Sequence, residues 1–269
     1  FPTRRSSDLI LSGIFNGYST GAPIAIIFHN SNTRSSDYDA LKDIPRPGHA
    51  DYTASVKWNA FNDPRGGGHF SGRLTLPLVA AGVLAKKMLP FKIEARLIEV
   101  GGVADPGKWN ELLVDTAKEG DSLGGIVCCS VKGAPAGLGE PFFGSVESLL
   151  SHAIFSIPGV RGMEFGDGFA AAKMKGSEHN DPLCCKDGKV IFEKNGSGGM
   201  NGGITNGNDI FFKVAFKPTS SIVKDQKTLN VRTGEQVTLN VPGRHDVCFA
   251  LRTPVIVEAM TAIVLANLL

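Results

Sequence analysis

Apolar and polar positions along the chain predict alternating helices and strands. Apolar residues recur at helical spacing over 107–119 and, more regularly, over 145–157, and the stretch 74–88 suits a mostly buried helix. The final stretch, PVIVEAMTAIVLANLL, is apolar on nearly every side after Pro254 and predicts a buried helix. Short alternating or continuous apolar runs predict strands at 21–29, 91–100, 125–132, 160–165, 188–193, 209–216 and 236–241, the first of them buried.

These elements favour one mixed α/β domain. Helices and strands interleave without a repeating period, and hairpin-like strand pairs alternate with helices, which favours mixed layers over a strictly parallel sheet. A length of 269 residues suits a single domain. Residues 30–71 are polar, rich in Gly, Pro and Asp and without periodicity, so they predict a long loop of the kind that is usually functional.

Composition excludes several classes of protein. A formal charge of +2 is too small to indicate nucleic-acid binding. No apolar stretch reaches the length of about 20 residues that spans a bilayer. The five cysteines, two adjacent pairs and a singleton, have neither zinc-site spacing nor the pattern of a secreted disulfide scaffold, which indicates a reduced, cytoplasmic setting.

The stretch RPGHADYT at 46–53 carries Arg46, His49 and Asp51 on a Pro-Gly turn. A histidine can exchange protons near neutral pH, and a neighbouring arginine can hold an anion. For this stretch taken alone, a surface turn with unrelated polar residues is the alternative.

Two further stretches combine cationic and hydroxyl groups. RGGGHFSGR at 65–73 brings His69, Ser71 and Arg73 next to glycines whose amides can form an anion-binding nest. KPTSS at 217–221 follows a predicted strand and offers a lysine and three hydroxyls to a phosphate. A glycine hairpin and a Ser/Thr turn are the structural alternatives, but two arginine-bearing loops close in sequence favour an anionic ligand.

A rival signal is GDGFAA at 166–171, which follows a predicted strand and fits GxGxxA. Asp187 lies about 20 residues further on, as in a dinucleotide-binding fingerprint. An NAD- or NADP-dependent dehydrogenase is therefore an alternative function. The polar KDGK segment around Asp187 predicts a turn instead of the end of a second parallel strand, which weakens that alternative.

Near the end of the chain, GRHDVCFALR at 243–252 places Arg244, His245 and Asp246 just before the last predicted helix. Charged groups beside an apolar helix need partners or ligands. Taken alone, structural ion pairing is the simpler interpretation.

Together and in this order, these stretches resemble the chorismate synthase family. The resemblance covers about residue 10 to residue 269 and is carried by ILSGIFNGYSTGAPIAI, NTRSSDYDALKDIPRPGHADYT, RGGGHFSGR, KEGDSLGG, GAPAGLGEP, GVRGMEFGDGF, GGMNGGITNG, FKPTSSI and GRHDVC. It makes GDGF a family segment and removes most of the case for a dinucleotide site. It also implies a β-α-β sandwich with mostly antiparallel sheets around helices.

The resemblance implies a lyase that converts 5-enolpyruvylshikimate 3-phosphate to chorismate by 1,4-anti elimination of phosphate, with reduced FMN as cofactor and a homotetrameric assembly. His49 matches a catalytic histidine thought to protonate the reduced flavin, and Asp246 matches the carboxylate proposed to accept a proton through the flavin. The positions matched to substrate binding are Arg46, Ser71 and Arg73. The positions matched to flavin binding are His69, Phe70, Ser71, Gly202, Lys217, Pro218, Thr219, Ser220, Ser221 and Arg244.

The sequence departs from the family pattern in two ways. Many members have arginine and serine where His69 and Phe70 stand, so we expect Phe70 to contribute only its backbone. The family's amino-terminal segment, with a GESHG-like motif, a second catalytic histidine and an arginine cluster, is expected to be missing, as is a short tail beyond Leu269. A non-catalytic flavin- or anion-binding fragment is therefore a further alternative.

The opening FPTRRSSDL precedes the resemblance, which begins at about Ile10. These residues read as the translation of TTC CCT ACA CGA CGC TCT TCC GAT CT, which looks like a common short-read sequencing adapter. We therefore expect residues 1–9 to be a non-native segment and residues 10–269 to be one domain, incomplete at the amino terminus.

Overall fold

The computed structural model describes residues 9–29, 43–63, 65–186, 188–241 and 245–269. Its α-helices are α1 (Asp51–Lys57), α2 (Thr75–Met88), α3 (Trp109–Lys118), α4 (Val146–Phe155), α5 (Gly176–His179) and α6 (Pro254–Ala266). Its strands are β1 (Leu9–Ser12), β2 (Ile14–Phe15), β3 (Tyr18–Ser19), β4 (Ala25–Ile27), β5 (Lys92–Val100), β6 (Gly125–Lys132), β7 (Val160–Phe165), β8 (Leu183–Lys186), β9 (Lys189–Phe192), β10 (Met200–Asn201), β11 (Ile204–Thr205), β12 (Ile210–Phe216), β13 (Gln226–Leu229) and β14 (Gln236–Leu239). Short 3-10 helices cover Arg65–Phe70, Gly72–Leu74, Pro106–Lys108, Phe142–Gly144, Gly168–Lys173 and Phe249–Arg252.

A four-stranded antiparallel sheet in the order β5-β6-β12-β7 forms the base of the fold. Buried and partly exposed residues alternate along β12, as expected for a strand with one face on a core. Its buried residues are Ile210, Phe212, Val214 and Phe216. β12 therefore forms a rigid central strand that ends directly before Lys217.

Helix α6 fills the core on the inner face of this sheet. It packs against β5 and β6 and is flanked by α2 and α4, so apolar side chains are favourable on most of its surface. Its buried residues are Ile256, Val257, Ala259, Met260, Thr261, Ala262 and Leu265. Glu258 accepts hydrogen bonds from the Ala95 backbone N–H at 2.8 Å and from Lys86 Nζ, and so connects α6 to β5 and α2.

Helices α2 and α6 approach each other closely at Gly82. A Cβ atom at Gly82 would lie 2.3 Å from the Ala259 Cβ, which is far inside van der Waals contact. The crossing therefore requires glycine at this position, although glycine lowers helix propensity by about 1 kcal/mol relative to alanine.

Most of the predicted elements are confirmed. The predicted helices over 74–88, 107–119 and 145–157 and after Pro254 correspond to α2, α3, α4 and α6. The predicted strands at 91–100, 125–132, 160–165, 188–193, 209–216 and 236–241 correspond to β5, β6, β7, β9, β12 and β14. The mixed fold with antiparallel sheets is confirmed as well.

Two predictions at the amino-terminal end are wrong. The strand expected over 21–29 is confined to β4, which forms a two-stranded sheet with β1. Ala25 and Ile27 are exposed among the described residues, so the expected burial is wrong for them. The loop expected over 30–71 contains α1 and the 3-10 helix Arg65–Phe70 in its described part. Its residues 30–42 and 64 lie outside the described ranges.

The dinucleotide-binding alternative lacks its structural context. GDGFAA follows β7, which belongs to an antiparallel sheet, and continues into the 3-10 helix Gly168–Lys173 instead of an α-helix. The backbone of Gly166 packs against the 196–198 segment, where a Cβ would lie 2.1 Å from the Gly196 oxygen. A dinucleotide fingerprint needs a parallel βαβ unit with a helix N-terminus at the phosphates, so the geometry argues against this function. Asp187 lies outside the described residues.

Within the described ranges, no helix is long and apolar enough to cross a membrane.

Candidate functional site

The RPGH turn and the start of α1 are joined through Asp51, the first residue of α1. Asp51 Oδ2 accepts hydrogen bonds from the Arg46 backbone N–H at 3.0 Å and from Arg46 Nε at 2.8 Å. Asp51 Oδ1 accepts a third from Arg46 Nη2 at 2.8 Å. Because Arg46 is only 9% exposed, its charge would be costly without this partner.

His49 completes what we call the Arg46–His49–Asp51 cluster. Its Nδ1 lies 2.6 Å from Asp51 Oδ1. Burial by itself would raise the pKa of Asp51, but the hydrogen bonds from Arg46 and His49 outweigh burial and hold that pKa well below its usual range. Asp51 is therefore an ionised carboxylate at neutral pH.

The KPTSS stretch, which we call the 217–221 loop, packs directly on this turn. Ser220 Oγ donates to the Gly48 carbonyl at 2.8 Å, and Lys217 Nζ donates to the same oxygen. Arg46 Nη1 donates to Ser221 Oγ at 3.2 Å, a contact across 175 positions of the sequence. The fold thus brings two of the three predicted anion-binding stretches into one site.

Lys217 has only neutral hydrogen-bond partners among the described residues, the Gly48 carbonyl and Ser220 Oγ. Burial lowers the pKa of Lys217, and repulsion from Arg161 lowers it further. The Lys217 backbone N–H donates to the Gly159 carbonyl at 2.9 Å, which fixes the loop beside β7. Two neighbouring cations of this kind would be stabilised by an anionic group between them.

A pocket of about 320 Å³ lies beside the 217–221 loop and is lined by Lys217, Thr219, Ser220 and Gln226 among others. Two buried polar atoms of these residues, Thr219 Oγ1 and Gln226 Nε2, have no hydrogen-bond partner in the described structure. An unpaired buried polar group costs about 1–3 kcal/mol. The lysine, the hydroxyls and the unpaired atoms therefore fit a polar ligand, and a phosphate suits donors of this type.

A second pocket, of about 220 Å³, connects Asp51 to the RGGGHF stretch. Trp58 contacts His69 in an edge-on arrangement with ring centroids 6.4 Å apart, and Phe70 in a tilted one at 6.1 Å. Both aromatic partners line the pocket together with Asp51. The structure therefore places His69 and Phe70 next to the Arg46–His49–Asp51 cluster, as the sequence predicts for one site.

Ser71 and Arg73 lie on the turn between this pocket and α2. Ser71 Oγ accepts a hydrogen bond from the Arg73 backbone N–H at 3.2 Å, and the Arg73 side chain is exposed. A Cβ at Gly72 would lie 3.0 Å from the Phe249 ring, which packs on Phe216 with ring centroids 6.4 Å apart. The turn therefore borders the end of β12, from which the 217–221 loop emerges.

Asp246 is ion-paired with Arg252 at 2.7 Å. The Leu123 backbone N–H donates to the Val247 carbonyl at 2.7 Å, which places this segment beside the wall of the larger pocket. No described hydrogen bond or ion pair joins Asp246 to His49. Arg244 lies outside the described residues.

Gly202 lies at the turn of the β10–β11 hairpin. The neighbouring Gly203 carbonyl accepts a hydrogen bond from the Val146 backbone N–H at 2.9 Å, so the hairpin packs on the start of α4. In the part of the chain that the structure describes, no hydrogen bond joins this hairpin to the 217–221 loop. The proposed flavin contact of Gly202 therefore stays a prediction, without a described hydrogen bond that links its hairpin to the other proposed flavin-binding residues.

Sequence reasoning names Asp51 in the 46–53 stretch without giving it a role. It does not single out Trp58, Arg161 or Gln226, which also belong to this site or its border. Asp51 has a usable signal, because a carboxylate two residues after His49 and at the start of a helix is well placed to orient an imidazole. The other three have none. Trp58 resembles any core aromatic residue, and Gln226 begins an ordinary polar strand.

Comparisons with known sequences give one family. A family profile described as chorismate synthase matches residues 4–269. The chain is 56% identical over 268 residues to a protein of that name from Chitinophaga pinensis, covering 98% of this chain and 79% of the relative. It is 45% identical over 285 residues to the protein of the same name from Korarchaeum cryptofilum, covering 96% and 79%. The profile match includes residues 4–9, and the assignment of residues 1–9 to an adapter stays a prediction, as does the single domain over 10–269.

A solved structure titled "Crystal Structure of Chorismate Synthase" is similar to this chain, with a TM-score of 0.73 over 97% of this chain and 77% of that chain. The sequence identity in this comparison is 24%. The similarity shows the fold, and it confirms the predicted mixed architecture with antiparallel sheets.

We expect the Asp51 carboxylate to stabilise the folded chain most strongly above pH 3.8, the ordinary pKa of the group. Because folding lowers this pKa, the contribution is fully present above the unfolded value and is lost as the pH falls toward the folded one. Asp51→Ala leaves Arg46 without a counter-charge and should lower the free energy of unfolding at pH 7 by up to about 3 kcal/mol. The loss should be smaller at pH 3, as measured by urea denaturation.

The matched control is Asp115→Ala, which removes an exposed pair with Lys118 at 2.7 Å on one turn of α3. Such a pair contributes less than about 1 kcal/mol. A destabilisation by Asp51→Ala that is the same at both pH values, or no larger than the control, would contradict the assigned ion pair.

Proposed function

Because this chain belongs to the chorismate synthase family, we propose that the Arg46–His49–Asp51 cluster and the 217–221 loop form its active site. The reaction of this enzyme is the elimination of phosphate from 5-enolpyruvylshikimate 3-phosphate to give chorismate, a lyase step of the shikimate pathway toward aromatic amino acids. The main support for this site is the direct contact between the cluster's turn and the 217–221 loop. Arg46 donates a hydrogen bond to Ser221, and Lys217 and Ser220 donate to the Gly48 carbonyl.

The substrate carries a phosphate and two carboxylates, so its site needs several cations. We assign Arg73 and Ser71 to these anionic groups, supported by the exposure of Arg73, which follows three residues after Phe70 of the smaller pocket. Arg46 has a narrower role. Its Nε and Nη2 groups are held by Asp51 and one Nη1 N–H donates to Ser221 Oγ, so the second Nη1 N–H is the donor of this guanidinium that we assign to a ligand.

We assign reduced FMN to the 217–221 loop and the adjoining pocket. Lys217 and the hydroxyls of Thr219, Ser220 and Ser221 would hold its phosphate, with the Pro218 backbone shaping the loop. This fit is supported by Lys217, whose described hydrogen-bond partners are neutral, and by Thr219 Oγ1, which has no partner among the described residues. When bound, reduced FMN supplies electron density to the allylic system from which phosphate departs.

His69 and Phe70, beside Trp58, would contact the ring portion of FMN, supported by their place in the aromatic pocket. Gly202 and Arg244 are proposed flavin contacts on the family resemblance alone.

In the elimination, the C–O bond to phosphate and a ring C–H bond break, and the C–H electron pair becomes part of the new diene. Phosphate leaves with the C–O electron pair and the ring proton goes to a base, so no net oxidation occurs. We assign proton transfer at the flavin to His49 and proton acceptance to Asp246. Positioned acid–base groups of this kind accelerate reactions by about 10²–10⁴-fold.

A non-catalytic flavin- or anion-binding role is the second candidate. The observation that favours it is the pairing of Asp246 with Arg252 at 2.7 Å, which engages the proposed base with another partner. The two candidates differ in one measurement, the release of phosphate while flavin and substrate are bound.

The chain, incubated anaerobically with 5-enolpyruvylshikimate 3-phosphate and reduced FMN, should release phosphate and form chorismate. His49→Ala should reduce turnover by about 10²–10⁴-fold with little change in the Kd for FMN, because the imidazole transfers a proton and does not hold the phosphate. His152→Ala, at an exposed position of α4, is the control. An equal loss in turnover and flavin affinity would assign His49 to binding, and no phosphate release with both ligands bound would favour the non-catalytic candidate.

Lys217→Ala should weaken FMN binding by about 10- to 100-fold, since a hydrogen bond to a charged group contributes about 1.5–3 kcal/mol. Riboflavin binding should not change, because riboflavin lacks the phosphate. Lys213→Ala is the matched control, since Lys213 lies on β12, which directly precedes Lys217, but is ion-paired with Glu164 at 3.0 Å. Fluorescence titrations with both flavins measure the effect. An equal loss of FMN and riboflavin affinity would show that Lys217 does not bind the FMN phosphate.

We also propose a homotetramer in the cytoplasm, as the family resemblance implies. The free state of all five cysteines supports a reducing compartment. Phe142 and Phe143, 86% and 94% exposed, support burial of this surface in an assembly. Sedimentation velocity should give a tetramer at micromolar concentration, and a monomer would contradict this assembly.

A further inference from the structure

Four hydrogen-bond donors converge on the Asp51 carboxylate. The Arg46 backbone N–H and Nε approach Oδ2 at 3.0 and 2.8 Å. Arg46 Nη2 and His49 Nδ1 approach Oδ1 at 2.8 and 2.6 Å. An ionised carboxylate only accepts hydrogen bonds. His49 Nδ1 must therefore carry a proton to make its contact, which fixes the neutral imidazole as the Nδ1–H tautomer.

The second ring nitrogen, Nε2, is left with its in-plane lone pair. Arg46 Nη2 lies 3.0 Å from Nδ1 and 3.3 Å from Nε2. A nitrogen at nearly equal distance from both ring nitrogens must lie over the ring face, because a position in the ring plane would overlap Cε1. The Arg46–His49 contact is therefore a stacking contact of a guanidinium on a ring. Among the described residues, only Arg46 and Asp51 have side chains within hydrogen-bonding distance of the His49 ring.

We propose that Asp51 is a positioning residue, which holds His49 in the Nδ1–H tautomer so that Nε2 is the atom that exchanges a proton with the bound ligand. The proposal rests on the assignment of His49 to proton transfer. Asp51 acts through His49 and is not required to touch substrate or flavin. Its contact with Arg46, which in turn bonds Ser221, makes the same carboxylate orient the imidazole and support the 217–221 loop.

Asp51→Asn tests this arrangement because an amide has one acceptor oxygen and one donor nitrogen. The amide oxygen of this variant is best placed at the former Oδ2 position, because the Arg46 backbone N–H and Nε both donate there. The amide NH₂ then occupies the Oδ1 position and faces His49 Nδ1. That nitrogen must become an acceptor, which moves the imidazole proton to Nε2. Replacement of a histidine-orienting carboxylate by asparagine in serine proteases has this consequence and costs about 10⁴-fold in kcat.

The primary measurement is long-range proton–nitrogen NMR of the imidazoles in chain labelled with ¹⁵N-histidine, at alkaline pH where imidazole is neutral. The His49 signal is identified by its loss in His49→Ala. Wild type should show Nδ1 protonated and Nε2 unprotonated, and Asp51→Asn should show the reverse. Asp167→Asn, which removes a carboxylate 3.9 Å from His179 Nε2, should leave the His49 signal unchanged.

An Nε2–H tautomer in the wild type would overturn the proposal, and this readout remains decisive if Asp51→Asn fails to fold. Retention of the Nδ1–H tautomer in a folded Asp51→Asn variant would also overturn it.

The second measurement is turnover, and it separates failure of this proposal from failure of the proposed function. Asp51→Asn should lower kcat by about 10²–10⁴-fold with a smaller change in KM. If the chain binds both ligands but releases no phosphate, the catalytic assignment fails while the tautomer result still decides the role of Asp51. If the tautomer reverses and kcat is unchanged, Asp51 does not act through His49 in this reaction.

Discussion

The carboxylate of Asp51 is the interaction on which the rest of the site depends. It is partly buried, and burial by itself would favour the neutral acid, yet three donors from Arg46 and one from His49 keep it ionised. Without that negative charge, the buried Arg46 guanidinium would lie uncompensated beside the 217–221 loop, which already contains Lys217. Because Asp51 neutralises Arg46, Lys217 can lie close to Arg46 and its charge is left for an anionic ligand.

The sheet provides the rigid frame for this charge balance. β12 is buried along one face and paired on both sides, so its last residue, Phe216, is fixed by the core. The 217–221 loop begins at the next position and is held by the Gly159 carbonyl of the adjacent chain segment. Binding groups carried at the end of a well-packed element keep their geometry more accurately than groups on a free loop. In the described structure the buried Thr219 hydroxyl has no hydrogen-bond partner, which is unfavourable. A bound phosphate would supply one.

The larger and smaller pockets both border the stretch from Pro47 to Asp51. Asp51 lines the aromatic pocket with Trp58, His69 and Phe70, while Gly48 of the same turn lines the pocket of the 217–221 loop. Glycine suits position 48 of this turn, because φ is +70° there and a Cβ would lie 3.3 Å from Ser220 Oγ.

The sequence by itself determined the main helices, the strands of the main sheet and the family. Hydrophobic periodicity is a local property, so α2, α3, α4, α6 and the four strands of the main sheet could be predicted from spacing, and ordered motifs were enough to indicate the family. The exposure of β4 could not be predicted, because an apolar run does not show whether another layer of the fold covers the strand. The partners of Arg46 were also undetermined, since Ser221 lies 175 positions away. Only the tertiary structure decided that Asp51 contacts Arg46 and His49 at the same time and that Arg46 reaches Ser221. The position of Asp51 two residues after His49 makes it a candidate partner, but the contacts depend on through-space distances of about 3 Å that this spacing alone does not fix.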